Sequence, residues 1–101
     1  EFAQAVGKSV ASGQHAMGVL ICKSGIGMSI AANRYRQIRA ALVQDVEAAR
    51  MSRLHNDANV VCFAGRVIAP ETAKDCLKTF LSTEFEGGRH ARRVEKLSRP
   101  L

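Results

Sequence analysis

The sequence predicts an α/β fold, a doubly wound, Rossmann-like parallel sheet with helices on both faces. The first indication is that short apolar runs alternate with segments of helical periodicity along the whole chain. The second is that the runs at residues 17–22 and 59–64 are continuously apolar, which is typical of strands buried in a parallel sheet. The third is a glycine-bearing turn at residues 23–27, which joins one such run to a helix.

The elements follow in order. Helical periodicity predicts helices at residues 1–12, 28–33, 46–55, 70–81 and 89–97. Apolar runs predict strands at residues 17–22, 38–43 and 59–64. Asp45 suits an N-cap, Pro70 suits a first helical turn, and Pro100 would follow the last helix. Because the order opens with a helix and gives only three strands, we expect a doubly wound domain without its opening strand, with an uncovered edge on its first strand.

Composition indicates one globular domain over residues 1–101, with 47% hydrophobic residues. No apolar run reaches the roughly 18 residues of a membrane span, so no membrane partner is expected. The three cysteines, Cys22, Cys62 and Cys76, show neither a disulfide framework nor zinc-ligand spacing. A reducing, cytoplasmic setting is the simplest interpretation.

The net charge of +6 is concentrated in the segment 89–99, a basic C-terminal helix with five basic residues and one acid. Such a patch suits a small anionic ligand or a nucleic acid, whereas a solvated helix face is the alternative. The segment has no interleaved aromatic residues, which disfavours nucleic-acid binding.

The turn after the first strand is a candidate anion site. Its backbone N–H groups, at the start of a helix, could hold a phosphate or the negative charge of an enediolate. The helix end and Lys23 favour the thiolate form of Cys22, which could act as a base or a nucleophile. The pair Gly25 and Gly27 lacks the third glycine of the dinucleotide fingerprint, so no nicotinamide cofactor is expected. A simple connecting turn and an inert, packed cysteine are the alternatives.

Two further groups carry candidate chemistry. His55 can move protons near neutral pH, and Asn56 beside it can donate a hydrogen bond to an oxygen. Arg89 and Arg93 are four residues apart, so both could face one phosphate. A helix end followed by a turn, and an exposed basic helix, are the respective alternatives.

Three stretches together resemble the type B ribose-5-phosphate isomerase and galactose-6-phosphate isomerase family. They are GIGMSIAAN at residues 25–33, SRLHND at 52–57 and EFEGGRH at 84–90, in the order and spacing of the family. The resemblance covers essentially the whole chain. It implies a cofactor-free, metal-free aldose–ketose isomerase that acts on a sugar phosphate through a cis-enediolate. It also implies a homodimer, or a dimer of dimers, with the active site between subunits.

The resemblance also assigns roles. Cys22 corresponds to the base that moves the proton, since Met28 stands where another branch carries a glutamate for this task. Ser24 corresponds to a residue that assists the base, and His55 to the residue that opens the furanose ring. The backbone of Gly25, Ile26 and Gly27 corresponds to the hole that stabilises the enediolate, and Asn56 to a residue that contacts substrate oxygens. Arg89 and Arg93 correspond to the phosphate clamp, for which Arg66 is a weaker candidate. Lys23, beside the base, replaces a common glycine and is a further substrate-binding candidate. The family's opening strand, with an Asp-His pair after it, has no counterpart here.

The expected reaction interconverts ribose 5-phosphate and ribulose 5-phosphate. A hexose phosphate, such as galactose 6-phosphate or allose 6-phosphate, is the alternative substrate. A truncated, non-catalytic subunit that binds a sugar phosphate is the alternative of a different class.

Overall fold

The computed structural model describes the backbone of residues 2–99 and the side chains of residues 4–99. Glu1, where the first helix was expected to begin, and Pro100, expected after the last helix, lie outside the described residues. The helices are α1 (Phe2–Ala11), α2 (Ile26–Asn33), α3 (Val46–Leu54), α4 (Pro70–Ser82) and α5 (Ala91–Leu97). The strands are β1 (Gly18–Cys22), β2 (Ala40–Leu42) and β3 (Val60–Ala64).

All strand pairs are parallel, in the order β1-β3-β2, so the fold prediction is confirmed. β3 is buried at all five positions and divides two apolar layers. On one face, residues of α1 and α2 pack around Leu20, Val60 and Cys62. On the other face, α3 and α4 pack around Val61 and Phe63. Burial of β3 on both sides explains why its sequence is uniformly apolar.

Most element boundaries agree with the expectation, and local chemistry explains the agreement. Asp45 caps α3, because its Oδ1 accepts a hydrogen bond from the amide of Ala48 at 2.7 Å. Pro70 begins α4, as expected for a residue that lacks an amide donor. The strand expected at residues 38–43 is shorter, because Ile38 closes a turn with Tyr35 and the Arg39 amide bonds the Asn59 side chain.

The two helices next to glycine turns also differ from the expectation. α2 begins two residues early, at Ile26, immediately after Gly25. The basic segment 89–99 opens with a 3-10 turn, Gly88–His90, and its α-helix begins at Ala91 and not at Arg89, although it ends at Leu97 as expected. Gly87 and Gly88 both have positive φ, which separates this turn from α4 and delays the regular helix.

The sheet has two ends that matter for function. The carboxyl ends of the strands form one edge, where β1 leads into α2, and the amino ends form the opposite edge, where α3 leads into β3. β1 lies at the side of the described sheet, and its Ile21 is 59% exposed, which agrees with the expected uncovered strand. Within the part of the chain that the structure describes, no helix has the length and apolarity needed to cross a membrane.

Candidate active site

The turn at the carboxyl edge depends on Gly25, which has a φ of 75° at the N-cap of α2. A Cβ at this position would lie 2.4 Å from Leu42 Cδ1 and 3.2 Å from the Phe63 backbone. Only glycine therefore allows the turn to approach β2 and β3 this closely. This approach brings the start of α2 against the ends of the strands.

Two side chains of this turn accept hydrogen bonds from its backbone. Cys22 Sγ accepts from the Gly25 amide at 3.0 Å, and Ser24 Oγ accepts from the Ile26 amide at 3.3 Å. The first contact directs a backbone N–H donor at the sulfur. The next two amides of α2, at Gly27 and Met28, have no carbonyl partners within the helix and are available to an anion, whereas the Ile26 amide is bonded to Ser24.

The loop after β3 closes the carboxyl edge from the other side. The Gly65 amide donates to the Cys22 carbonyl at 2.7 Å, and the Arg66 amide donates to the Lys23 carbonyl at 3.1 Å. Both cationic side chains are exposed. The structure thus brings Cys22, Lys23, Ser24, Arg66 and the amides of residues 25–27 together, and we name this set the carboxyl-edge cluster.

The other two cysteines differ from Cys22. Cys62 and Cys76 are fully buried in the two apolar layers, whereas Cys22 is partly exposed. Burial, with a smaller contribution from Cys22, raises the pKa of the Cys62 thiol to about 11. Burial, followed by the charges of Asp45 and Asp75, also raises the pKa of Cys76. Both thiols stay protonated at neutral pH and pack as small apolar side chains.

A second group of functional side chains lies at the amino edge. His55 is the C-cap of α3, and the segment after α4 packs on it through the Glu86 amide, which donates to the Leu54 carbonyl at 3.1 Å. Arg93 Nη2 donates to the His55 carbonyl at 2.8 Å and so fixes α5 to this turn. Arg89 is exposed one helical turn away.

His90 belongs to the same group, although the sequence analysis did not select it. Its ring stacks on His55 with centroids 4.2 Å apart and planes 20° apart. Arg93 Nη2 lies 3.1 Å from His90 Nδ1 and can only donate, so Nδ1 is the unprotonated nitrogen. Burial lowers the pKa of His90, and the nearby His55, Arg93 and Arg89 lower it further, against a smaller opposing effect of Glu86. His90 is therefore a neutral ring beside His55.

We name His55, Asn56, Glu86, Arg89, His90 and Arg93 the amino-edge cluster. A signal for His90 and Glu86 was present in the sequence, since both lie in the third stretch that carries the resemblance. Neither residue type is distinctive there, because a histidine between arginines also fits an exposed helix face. Their importance follows from the packing of that stretch on the end of α3.

The two clusters do not meet within one chain. A parallel strand advances about 3.3 Å per residue, so the two edges of a five-residue strand lie about 15 Å apart. Cys22 ends β1 at one edge, whereas His55 precedes β3 at the other. A furanose phosphate is shorter than this separation. Within one chain, Cys22 therefore lies at one edge of the sheet, whereas His55 and the arginines of the amino-edge cluster lie at the other.

A metal ion fits the amino-edge cluster poorly. His55, Glu86 and His90 each offer one ligand atom, and these atoms lie within 4.8 Å of one another. However, stacked imidazole rings direct their lone pairs side by side and not toward one point. Arg93 occupies His90 Nδ1, which leaves the proton on Nε2, the nitrogen that faces Glu86 at 3.2 Å. The surrounding arginines also oppose a cation.

A cavity of about 620 Å³ opens beside the amino-edge cluster. Asn56 belongs to its wall, together with Arg34, Arg36 and Arg39 from the segment between α2 and β2. Arg39 Nε donates a hydrogen bond to the Asp57 carbonyl at 2.7 Å, whereas the Arg34 and Arg36 side chains are exposed. The amino edge is therefore strongly cationic, which suits an anionic ligand or partner surface.

The fold is a doubly wound α/β domain with polar and cationic clusters at both edges of its parallel sheet. Comparison with known proteins makes the class specific. Residues 1–97 match the family model described as Ribose/Galactose Isomerase, and the chain belongs to that family.

Individual relatives support the same family assignment. The chain is 43% identical over 97 residues to ribose-5-phosphate isomerase B of Escherichia coli, a match that covers 96% of this chain and 65% of the relative. A ribose 5-phosphate isomerase of Thermotoga maritima superposes with a TM-score of 0.93 at 50% identity, covering 95% of this chain and 66% of that one. The type B enzyme of Trypanosoma cruzi superposes with a TM-score of 0.94, also at 50% identity, covering 96% and 65%. The chain thus spans slightly less than two thirds of the length of these relatives.

Proposed function

We propose that this chain acts as a ribose-5-phosphate isomerase, with Cys22 as the base that moves a proton between C1 and C2 of the sugar phosphate. The observation that carries the proposal is the Cys22–Gly25 contact of 3.0 Å at the start of α2. This contact places the partly exposed thiol of Cys22 beside the N-terminus of α2, whose backbone amides suit an anion. An enediolate needs both a base on one carbon and donors to its oxygens.

The carboxyl-edge cluster would carry out the proton transfer. Cys22 in its thiolate form takes the proton, and the amides at residues 25–27 stabilise the negative charge that develops on the enediolate oxygens. Ser24 lies beside both, with its hydroxyl already oriented by the Ile26 amide. Lys23 and Arg66 would add positive charge around the anion. No cofactor or metal is needed for these steps.

The amino-edge cluster would bind the phosphate and open the ring. Arg89 and Arg93 would hold the phosphate, since guanidinium groups match phosphate geometry. His55 would transfer the proton that opens the furanose ring, and Asn56 would contact a sugar oxygen. Remote binding of the phosphate positions the reacting carbons at the base.

The separation of about 15 Å between the clusters supports a homodimer. One subunit would contribute the carboxyl-edge cluster and its partner the amino-edge cluster, so that each active site is complete only at the interface. Two such dimers could associate further. The three free cysteines fit a reducing, cytoplasmic setting, and the basic segment is accounted for by phosphate binding without a nucleic acid.

The first test is turnover of ribose 5-phosphate to ribulose 5-phosphate by the protein and its Cys22→Ala variant. We expect activity in the protein and a loss of at least about a hundredfold in the variant, because a base typically contributes that much. Two arginine variants provide a matched pair on the same segment. Arg89→Ala should raise KM about tenfold, whereas Arg92→Ala should change KM less than about twofold.

Other outcomes point to the alternatives. Faster turnover of allose 6-phosphate or galactose 6-phosphate than of ribose 5-phosphate would assign a hexose-phosphate isomerase. Binding of sugar phosphates without turnover of any of them would assign a non-catalytic subunit. Full activity in the Cys22→Ala variant would overturn the role of the cysteine.

A further inference from the structure

His90 is the buried member of the amino-edge cluster, and none of the proposed reaction steps uses it. The residue is 5% exposed, so it has almost no surface to offer a substrate. Its ring nevertheless lies face to face with His55 at 4.2 Å. Any influence of His90 on the reaction must therefore pass through His55.

We propose that His90 is a positioning residue, which holds the His55 ring by stacking on it and thereby supports the ring-opening step. The inference rests on the proposed function. The arrangement has the required rigidity, because Arg93 Nη2 bonds both His90 Nδ1, at 3.1 Å, and the His55 carbonyl, at 2.8 Å. The guanidinium group of Arg93 thus fixes both the His90 ring and the backbone of His55.

The charges of the group agree with this role. Because His90 is neutral, it can stack on a neutral or a protonated His55 without the repulsion between two imidazolium ions. The charged groups around the stack are Arg89 and Arg93 on the basic segment and Glu86 before it. Of the two rings, His55 is the partly exposed one and His90 the buried one, so His55 is the ring accessible to substrate.

Two substitutions separate the possible contributions of His90. His90→Phe keeps a ring that can stack on His55 but removes the acceptor for Arg93. His90→Asn keeps an acceptor near the position of Nδ1 but removes the ring. If stacking is what matters, the Phe variant should retain far more ring-opening activity than the Asn variant.

The decisive experiment compares two reactions of the same variants. Conversion of ribose 5-phosphate begins with a furanose ring and needs ring opening. Ribulose 5-phosphate cannot close such a ring because its C5 oxygen is esterified. Exchange of its C1 hydrogen with deuterium from D2O therefore needs only the base and the anion hole. Both reactions use the same phosphate clamp, so exchange serves as an internal control for folding and binding.

We expect His90→Asn to lower kcat for ribose 5-phosphate about tenfold, while the exchange rate for ribulose 5-phosphate changes less than about twofold. His90→Phe should keep both rates within about threefold of the parent. Equal losses in both reactions would show a general structural role and overturn the proposal. Unchanged conversion in the Asn variant would overturn it as well.

A spectroscopic readout separates this proposal from the proposed function. A stacked ring shifts the NMR signals of the ring protons of its neighbour, so the His55 signals should move in His90→Asn and be largely restored in His90→Phe. His15→Asn, at an exposed histidine, should leave the His55 signals unchanged. A protein without conversion or exchange would refute the proposed function. If the protein is active but its His55 signals do not shift in His90→Asn, only the positioning role is refuted.

Discussion

The guanidinium of Arg53 lies 3.0 Å from the carboxylate of Asp57, and this ion pair spans the turn that carries His55 and Asn56. Arg53 is only 8% exposed, and it also donates to the Ala58 carbonyl at 2.6 Å and to the Thr83 carbonyl at 2.9 Å. Asp57 has a φ of 47°, an uncommon conformation for a residue other than glycine. The pair therefore adds to the hydrogen bonds that Glu86, Arg93 and Arg39 donate to the carbonyls of the same turn.

Stability should reflect this burial. We expect Arg53→Ala to lower the free energy of unfolding by about 3 kcal/mol, because it leaves two carbonyls without their donor and leaves the Asp57 carboxylate with Arg39 alone, at 3.4 Å. Arg50→Ala on the same helix removes a solvent-exposed pair with Glu47 and should cost less than about 1 kcal/mol. Urea denaturation of both variants measures the difference. Equal losses would show that the buried network is not what stabilises this turn.

Glycines 25 and 27 offer a second matched comparison. Gly25→Ala should destabilise the protein by about 2 kcal/mol or more, because its Cβ would meet Leu42 and the Phe63 backbone at a positive φ. At Gly27, inside α2, a Cβ would meet nothing within 4 Å. Gly27→Ala should therefore stabilise the protein by about 0.5 kcal/mol, through the helix propensity of alanine. Thermal unfolding of the two variants should show midpoints that move in opposite directions.

Much of the fold could be predicted from the sequence because its strongest signals are local. The apolar run of β3 reports burial on both faces, and Asp45 and Pro70 mark helix starts by their own chemistry. The shorter β2 could not be predicted, because the Asn59 side chain that takes the Arg39 amide comes from a residue twenty positions away. Long-range polar contacts of this kind leave no periodic trace.

In the candidate site, too, local features could be predicted from the sequence and long-range contacts could not. Cys22, the glycine turn and the paired arginines stand out by residue type and spacing. Arg53 does not, since an arginine in a polar helix usually lies in solvent. The separation of Cys22 from His55 depends on which end of the sheet each segment reaches. That follows from the parallel topology and from neither motif alone.

Thiol reactivity provides a test that needs no substrate. At about pH 8, a thiol with the raised pKa of Cys62 is ionised to about one part in a thousand, and Cys76 is shifted in the same direction. Both are also fully buried, so iodoacetamide should label the native protein once per chain, at Cys22. The Cys22→Ser variant should remain unlabelled until denaturant is added, when two thiols react. Rapid native labelling of Cys62 would contradict the packing described here.

The composite active site makes the sharpest prediction about assembly. Cys22→Ala damages the carboxyl-edge cluster and should be nearly inactive, whereas Arg89→Ala damages the amino-edge cluster and should keep about a tenth of the parent activity at low substrate concentration. In a mixed dimer, one of the two sites would combine the intact half of each subunit. Random mixing gives half mixed dimers, so about 25% of the parent activity should return after the two variants are unfolded and refolded together.

The control is a mixture of Cys22→Ala with Ser24→Ala. Both substitutions lie in the carboxyl-edge cluster, and every site of their mixed dimer carries one of them. Activity in this mixture should not exceed the average of the separate variants. Recovery in the first mixture but not in the second requires that the base and the phosphate clamp come from different chains. Absence of recovery in both, from dimers shown to have exchanged subunits, would mean that each chain builds its own site, against the separation of about 15 Å between the two edges of the sheet.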